Sequence, residues 1–312
     1  MKKLLYLTCS ALLTFSMLKV SAQSGKTGKL NWNISDGTLT ISGIGAMPNY
    51  KYKQRKYRII SPWYFYLNNI KSIVICEGVT SFGENAFYVY YNDLDVMFTN
   101  YFDSDNSIDE NFTKYCGVTS VSIPNSVVSI GRSAFRNCRN LTSISVPNSV
   151  STIGRSAFSA CSKLTSLNLP NSITIVESYL CRGCSSLNSI TIPNSVTYIR
   201  YSAFSGCHSL KFVVIPNSVT RIGGHAFAFC KGLTSITIPD SVLDIDNSIL
   251  LDCENLSEII NYAIVPQTLR PYKVFSNLNT AKCILRVPES ALEAYKGAEG
   301  WEEFERIEAI SN

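Results

Sequence analysis

The chain has 312 residues, of which 46% are hydrophobic, 11% aromatic and only 16% charged, and its formal net charge is +5. That balance excludes a disordered chain, which would be poor in apolar residues and rich in charge. The small positive excess also gives no general affinity for nucleic acid.

The first 22 residues place Lys2 and Lys3 ahead of an apolar stretch over 4–18, followed by Val20-Ser21-Ala22. Basic, apolar and small segments in that order predict a secretory signal peptide, cut between Ala22 and Gln23. The apolar core is too short and too rich in Ser and Thr to be retained as a membrane span. Cys9 sits in its middle, so no lipoprotein site is read there. Lys2, Lys3 and Lys19 leave with the signal, and the formal charge falls from +5 to +2. The expectation is an exported chain, secreted or at the cell surface, with no transmembrane segment after cleavage.

Residues 23–69 are expected to form an N-terminal cap. The segment LNWNISDGTLTISG alternates around Asp36-Gly37, a two-residue hairpin signal that sets Ile34 opposite Leu39 and Trp32 opposite Ile41. KYKQRKYR then places Lys51, Lys53, Arg55, Lys56 and Arg58 around Tyr52 and Tyr57. This basic loop is either an ordinary solvated connection or a secondary candidate for binding an anionic glycan or a nucleic-acid strand.

From 70 to 266 the chain repeats. Proline recurs at 124, 147, 170, 193, 216 and 239, and cysteine at 138, 161, 184, 207, 230 and 253, every step being 23 residues. In the unit over 141–163, Leu141, Ile144 and Val146 are spaced as a short strand with alternate residues inward. Pro147 has no amide donor and suits the strand end, and Asn148-Ser149 favours a turn. Val150 and Ile153 return to the core, Gly154 allows a further bend, and Phe158 and Cys161 fill the interior. One such unit has an apolar face and no partner for it, so stacking must bury it. A solenoid with stacked parallel strands is the expected fold. Phe112 lies 23 residues before Phe135, so the Tyr- and Asp-rich stretch 88–115 is assigned to a degenerate second repeat. Residues 267–312 form the C-terminal cap, with a short helix over 289–296 and Tyr295, Trp301, Phe304 and Ile307 covering the last coil.

The pattern L-x-x-I-x-[IV]-P-[ND]-S-[VI]-x-x-[IV]-G-x-x-A-F-x-x-C resembles the BspA-like leucine-rich repeat of bacterial surface proteins. SDGTLTISGIGAMPNY near the start and VPESALEAYKGAEGWEEFERI near the end resemble that family's end segments. The resemblance implies a mainly β leucine-rich-repeat solenoid, secreted or surface-displayed, with relatives that bind host matrix proteins or other microbial cells. The sequence departs from the pattern at Glu177, Tyr179 and Cys181, where Gly, Ala and Phe are expected, and it carries no wall-sorting motif.

Catalytic, metal and cofactor signatures are missing from this pattern. His208 and His225 fall in different repeat slots that otherwise hold polar residues, so both are expected on a solvated surface. Glu302 and Glu303 belong to the cap. The regularly spaced cysteines are read as a reduced, buried ladder of small apolar fillers, and Cys181 and Cys184 as core rather than a redox or zinc pair. Charge is uneven: 119–239 holds ten Lys or Arg and one acid, Glu177, whereas 240–312 holds six basic and thirteen acidic residues.

The strand residues between the inward positions read Ser143 and Ser145, Ser166 and Asn168, Ser189 and Thr191, then Ser235 and Thr237. One unit breaks that series, with Phe212 and Val214 beside Lys211. The expected function is adhesion: a non-enzymatic module that recognises a host matrix or cell-surface protein, or a glycan, through the solvent-facing side of its sheet. Lys211, Phe212 and Val214 are the candidate ligand contacts. A structural spacer of the envelope is the first alternative, and a carbohydrate-active or proteolytic enzyme the second.

Overall fold

The computed structural model describes residues 23–50, 61–88, 116–269, 274–275 and 277–310. The expected signal segment 1–22 and the basic loop at 51–58 lie outside them.

Three antiparallel strands, β1 (Gln23–Thr27), β2 (Leu30–Ser35) and β3 (Thr38–Ser42), open the chain. The Asp36-Gly37 turn joins β2 to β3 with both residues at positive φ, 47° and 74°. It sets Ile34 opposite Leu39 and Trp32 opposite Ile41, as the alternation predicts. Strand β3 then pairs in parallel with Ser72–Ile75, and that strand with Ser120–Ser122. From Ser143–Ser145 onward, main strands stack in parallel at the 23-residue repeat, Ser143 on Ser166 on Ser189, and Phe212 on Ser235 on Glu258. Ile284–Val287 and Arg306–Ala309 complete the sheet.

The coils with a proline turn each carry a second, two-residue strand after it, such as Thr152–Ile153, and these stack in parallel in two runs, 129–153 and 175–245. A turn arc then closes the circuit. Ser133, Phe135 and Asn137 donate their backbone N–H groups to Arg155, Ala157 and Ser159 of the next coil, at 3.0, 2.9 and 2.9 Å. Ser133 and Asn137 take φ of 54° and 63°, a left-handed backbone that L-residues adopt at a cost. This explains why the matching slots run mostly to Ser, Asn and Gly.

The interior follows the repeat. Phe87 stacks on Phe135 at 5.1 Å, Phe135 on Phe158 at 5.7 Å, and Phe204 on Phe227 at 5.5 Å, with Cys181 filling the intervening slot. The caps bury large aromatics. Trp63 donates its indole N–H to Ala86 O at 2.8 Å. At the other end a short helix, α1 (Leu292–Lys296), brings in Tyr295, whose hydroxyl donates to Ala263 O at 3.1 Å. Trp301 Nε1 donates to Gln267 O at 3.0 Å.

Ser72 pairs directly with Ser120, and Phe82 with Ile130; of the stretch 88–115, assigned to a degenerate second repeat, all but Tyr88 lies outside the described residues. Two readings of the sequence need correction. Gly154 is not there to bend: its φ is not left-handed, and a Cβ would lie 2.5 Å from Arg132 N of the preceding coil. Tyr179 does not occupy the alanine slot. It aligns with Ser156 at positive φ, and Leu180 fills the alanine slot with 1% of its surface exposed.

Candidate functional site

Alternation along each main strand sends one residue inward and its two neighbours outward. Ile144, Leu167 and Val213 are buried, while Ser143, Ser145, Ser166 and Asn168 face solvent. The outward face is therefore a lawn of small hydroxyl and amide groups. It continues over the N-terminal strands as Asn31, Asn33 and Thr40. At its far end it becomes an ion-pair ladder, with Arg286 bridging Glu258 at 2.6 Å and Glu308 at 3.1 Å.

Between these regions the strand Phe212–Val214 stands out. Its register sets Phe212 beside Ser235 and Val214 beside Thr237. Both side chains project from the sheet, with Phe212 59% and Val214 61% exposed, and Lys211 is exposed next to them. Fully covering an apolar side chain of this size stabilises by about 1.5–3 kcal/mol. Two adjacent ones on a rigid strand therefore offer a partner an anchor at little ordering cost.

His208 and His225 lie on separate coils. His225 is buried, contrary to the surface position expected, because its slot is the left-handed turn of the arc, where Ser133, Ser156 and Ser202 are buried too. Its ring packs against Tyr201 at 5.2 Å, and burial holds its pKa below the usual imidazole value. His208 is shifted the same way, by desolvation and then by Lys231. Among the described residues no group of three or more His, Cys, Asp or Glu is placed to hold a metal ion.

The ladder cysteines are buried thiols. Cys161 donates to Phe135 O at 3.2 Å, Cys184 to Phe158 O at 3.1 Å and Cys253 to Phe227 O at 3.2 Å. Each thiol thus bonds to the preceding coil as well as filling space, a role the spacing alone did not reveal. Cys138 also lies 3.3 Å, sulfur to sulfur, from Cys116. Cys181 and Cys184 are both fully buried in the core.

Sequence reading also missed a cluster on the flank. Arg155 and Arg182 both approach the ring of Tyr179, at 4.7 and 5.7 Å from its centroid. The run of arginines was visible as net charge, but their convergence depends on Tyr179 sitting in the left-handed slot.

A family model described as the BspA type leucine rich repeat region matches the chain in six copies, over residues 44–102, 106–233 and 198–284. No curated protein matches the chain. Among solved structures, a leucine rich cell surface protein from Faecalibacterium prausnitzii is 21% identical over 94% of this chain and 96% of its own, with a TM-score of 0.46. A Treponema pallidum leucine rich repeat protein is 35% identical over 45% of this chain and 68% of its own, with a TM-score of 0.42. The pneumococcal vaccine antigen PcpA is 14% identical over 93% of this chain and 99% of its own, with a TM-score of 0.35. Among the described residues no helix is long and apolar enough to cross a membrane.

Proposed function

The chain belongs to the BspA-type leucine-rich repeat family, and from that premise we propose that it is an exported binding module for a protein or glycan ligand. The ligand docks on the outward face of the main sheet, with Phe212 and Val214 as its apolar anchor and Lys211 beside them. The observation that carries this reading is the apolar pair on a mostly small and polar face, where Phe212 is 59% and Val214 61% exposed, against 37% for Val74, the next most exposed large apolar residue of the outward main-strand positions. An aromatic anchor ringed by hydroxyls has the composition of a binding hot spot. Such modules function by presenting a surface, and the stacked coils hold that surface rigid.

An array of extracellular-matrix proteins and glycans, probed with the chain beginning at Gln23, tests the reading. Saturable binding to at least one arrayed ligand is expected. Binding to none would favour a structural spacer, and turnover of an arrayed glycan or protein would favour an enzyme. N-terminal sequencing of the exported protein tests the route, with Gln23 expected as the first residue.

A further inference from the structure

Acidic residues neutralise only some cations of the central coils. Arg200 pairs with Glu177 at 3.2 Å, Arg221 with Asp244 and Asp246 at 3.2 and 3.3 Å, and Lys231 with Glu254 at 2.8 Å. Arg132, Arg155 and Arg182 pair with no acid among the described residues. Arg132 and Arg155 are exposed and Arg182 half-buried. Each of the two guanidinium groups that meet Tyr179 is drawn to the ring. They nevertheless repel one another, and among the described residues no ion pair to either offsets it.

Arg132 occupies the same slot as Arg155 one coil earlier, a step of about 4.8 Å along the solenoid axis. Both line an open trough of about 750 Å³ that passes over Gly131 and Gly154 and ends at Glu177, which Arg200 holds. Ser129 and Thr152 contribute hydroxyls to it. Glu84 lines the trough on the far side of Arg132, so the unmatched positive charge is concentrated toward Arg155.

We propose that Arg132 and Arg155, which line this trough, together with Arg182, which meets Arg155 at the Tyr179 ring, bind the carboxylates of a uronic-acid polysaccharide lying along the solenoid axis. The planar guanidinium fork matches a carboxylate with two parallel hydrogen bonds. Cations repeated at the coil step suit a linear polymer that repeats its charge sugar by sugar, and the trough hydroxyls suit its neutral groups. A nucleic-acid strand fits less well. Tyr179 is half-buried and already met by two guanidinium groups and, in a T-shaped contact at 5.4 Å, by Tyr201, so it is a poor platform for stacking a base. This surface does not include the strand bearing Phe212, so the two sites can fail independently.

The test is binding of the chain from Gln23 to immobilised polygalacturonate, to its methyl-esterified form and to single-stranded DNA, at low and physiological salt. Polygalacturonate is expected to bind in a salt-weakened manner, and esterification to weaken binding by about tenfold or more. The triple change Arg132→Ser, Arg155→Ser and Arg182→Ser should cost about tenfold or more, while Phe212→Ser with Val214→Ser leaves this binding unchanged. Serine already stands in the matching slots at Ser159, Ser178 and Ser205. Should the triple variant not fold, Arg155→Lys with Arg182→Lys keeps the charge, loses the fork, and should weaken binding several-fold. Failure to bind polygalacturonate, equal binding of the ester, DNA binding at least as tight, or full retention by a folded variant would each overturn the proposal.

Discussion

At the scale of single residues, the interior is set by two recurring slots. Phe158 is fully buried and stacks on Phe135 at 5.7 Å, so Phe158→Ala leaves a cavity shared by two coils. A loss of about 3–5 kcal/mol in a denaturant melt is expected, and a loss under about 1 kcal/mol would contradict the register. The cysteine slot makes a pH prediction. Burial raises the thiol of Cys230 to about 12, and those of Cys138, Cys161 and Cys207 are raised chiefly by the same desolvation. An unfolded thiol ionises near its ordinary value while the folded one stays neutral, so the unfolded state holds fewer protons above about pH 9. The stabilisation is complete below that pH and is lost as the pH climbs toward the folded value. Denaturant melts should show stability falling between about pH 9 and pH 11, and alkylation at pH 8 should label these cysteines only after unfolding. Labelling of the native chain, or bonds between successive ladder cysteines found by mass spectrometry, would refute this. The burial of Phe158 and the cysteines was legible because the 23-residue spacing is strict. The thiol-to-carbonyl bonds and the burial of His225 were not, because both depend on the left-handed arc, which leaves no hydropathy pattern.

Among the elements, close stacking decides where glycine is required. A Cβ on Gly83 would lie 1.8 Å from Pro48 O, a backbone atom that cannot turn aside. Gly83→Ala should therefore force the first coils apart, at a cost of about 1–3 kcal/mol or more. An unchanged melting temperature would show that the coils are not packed this closely. Hairpin β2–β3 was readable from Asp36-Gly37 alone, because turn chemistry and alternation agree on one register. The stretch 88–115 was less legible for the opposite reason: one phenylalanine at the right distance is a single slot, and a single slot cannot report whether a strand is inserted. The glycine slot likewise looked like a bend, since the sequence does not show how near the neighbouring coil comes.

Over the whole molecule, the stacked coils form a rigid scaffold whose outward face is almost uniform. Trp63 and Trp301, both fully buried, close its two ends. That uniformity is what makes Phe212 and Val214 conspicuous both in the sequence and in the structure. The flank cluster was hidden, because Arg155 meets Tyr179 and Arg182 of the next coil only once the coils are wound. On this account the sheet face binds through Phe212 and Val214, its most exposed apolar pair. That claim is tested most directly by the affinity of Phe212→Ser with Val214→Ser for a ligand selected with the wild-type chain. The double change restores the residue types of neighbouring coils, so its melting temperature should match wild type while affinity falls by about tenfold or more. Binding retained within about twofold by the folded variant would contradict the account and place the contact elsewhere, the basic loop of Lys51, Lys53, Arg55, Lys56 and Arg58 being next to test.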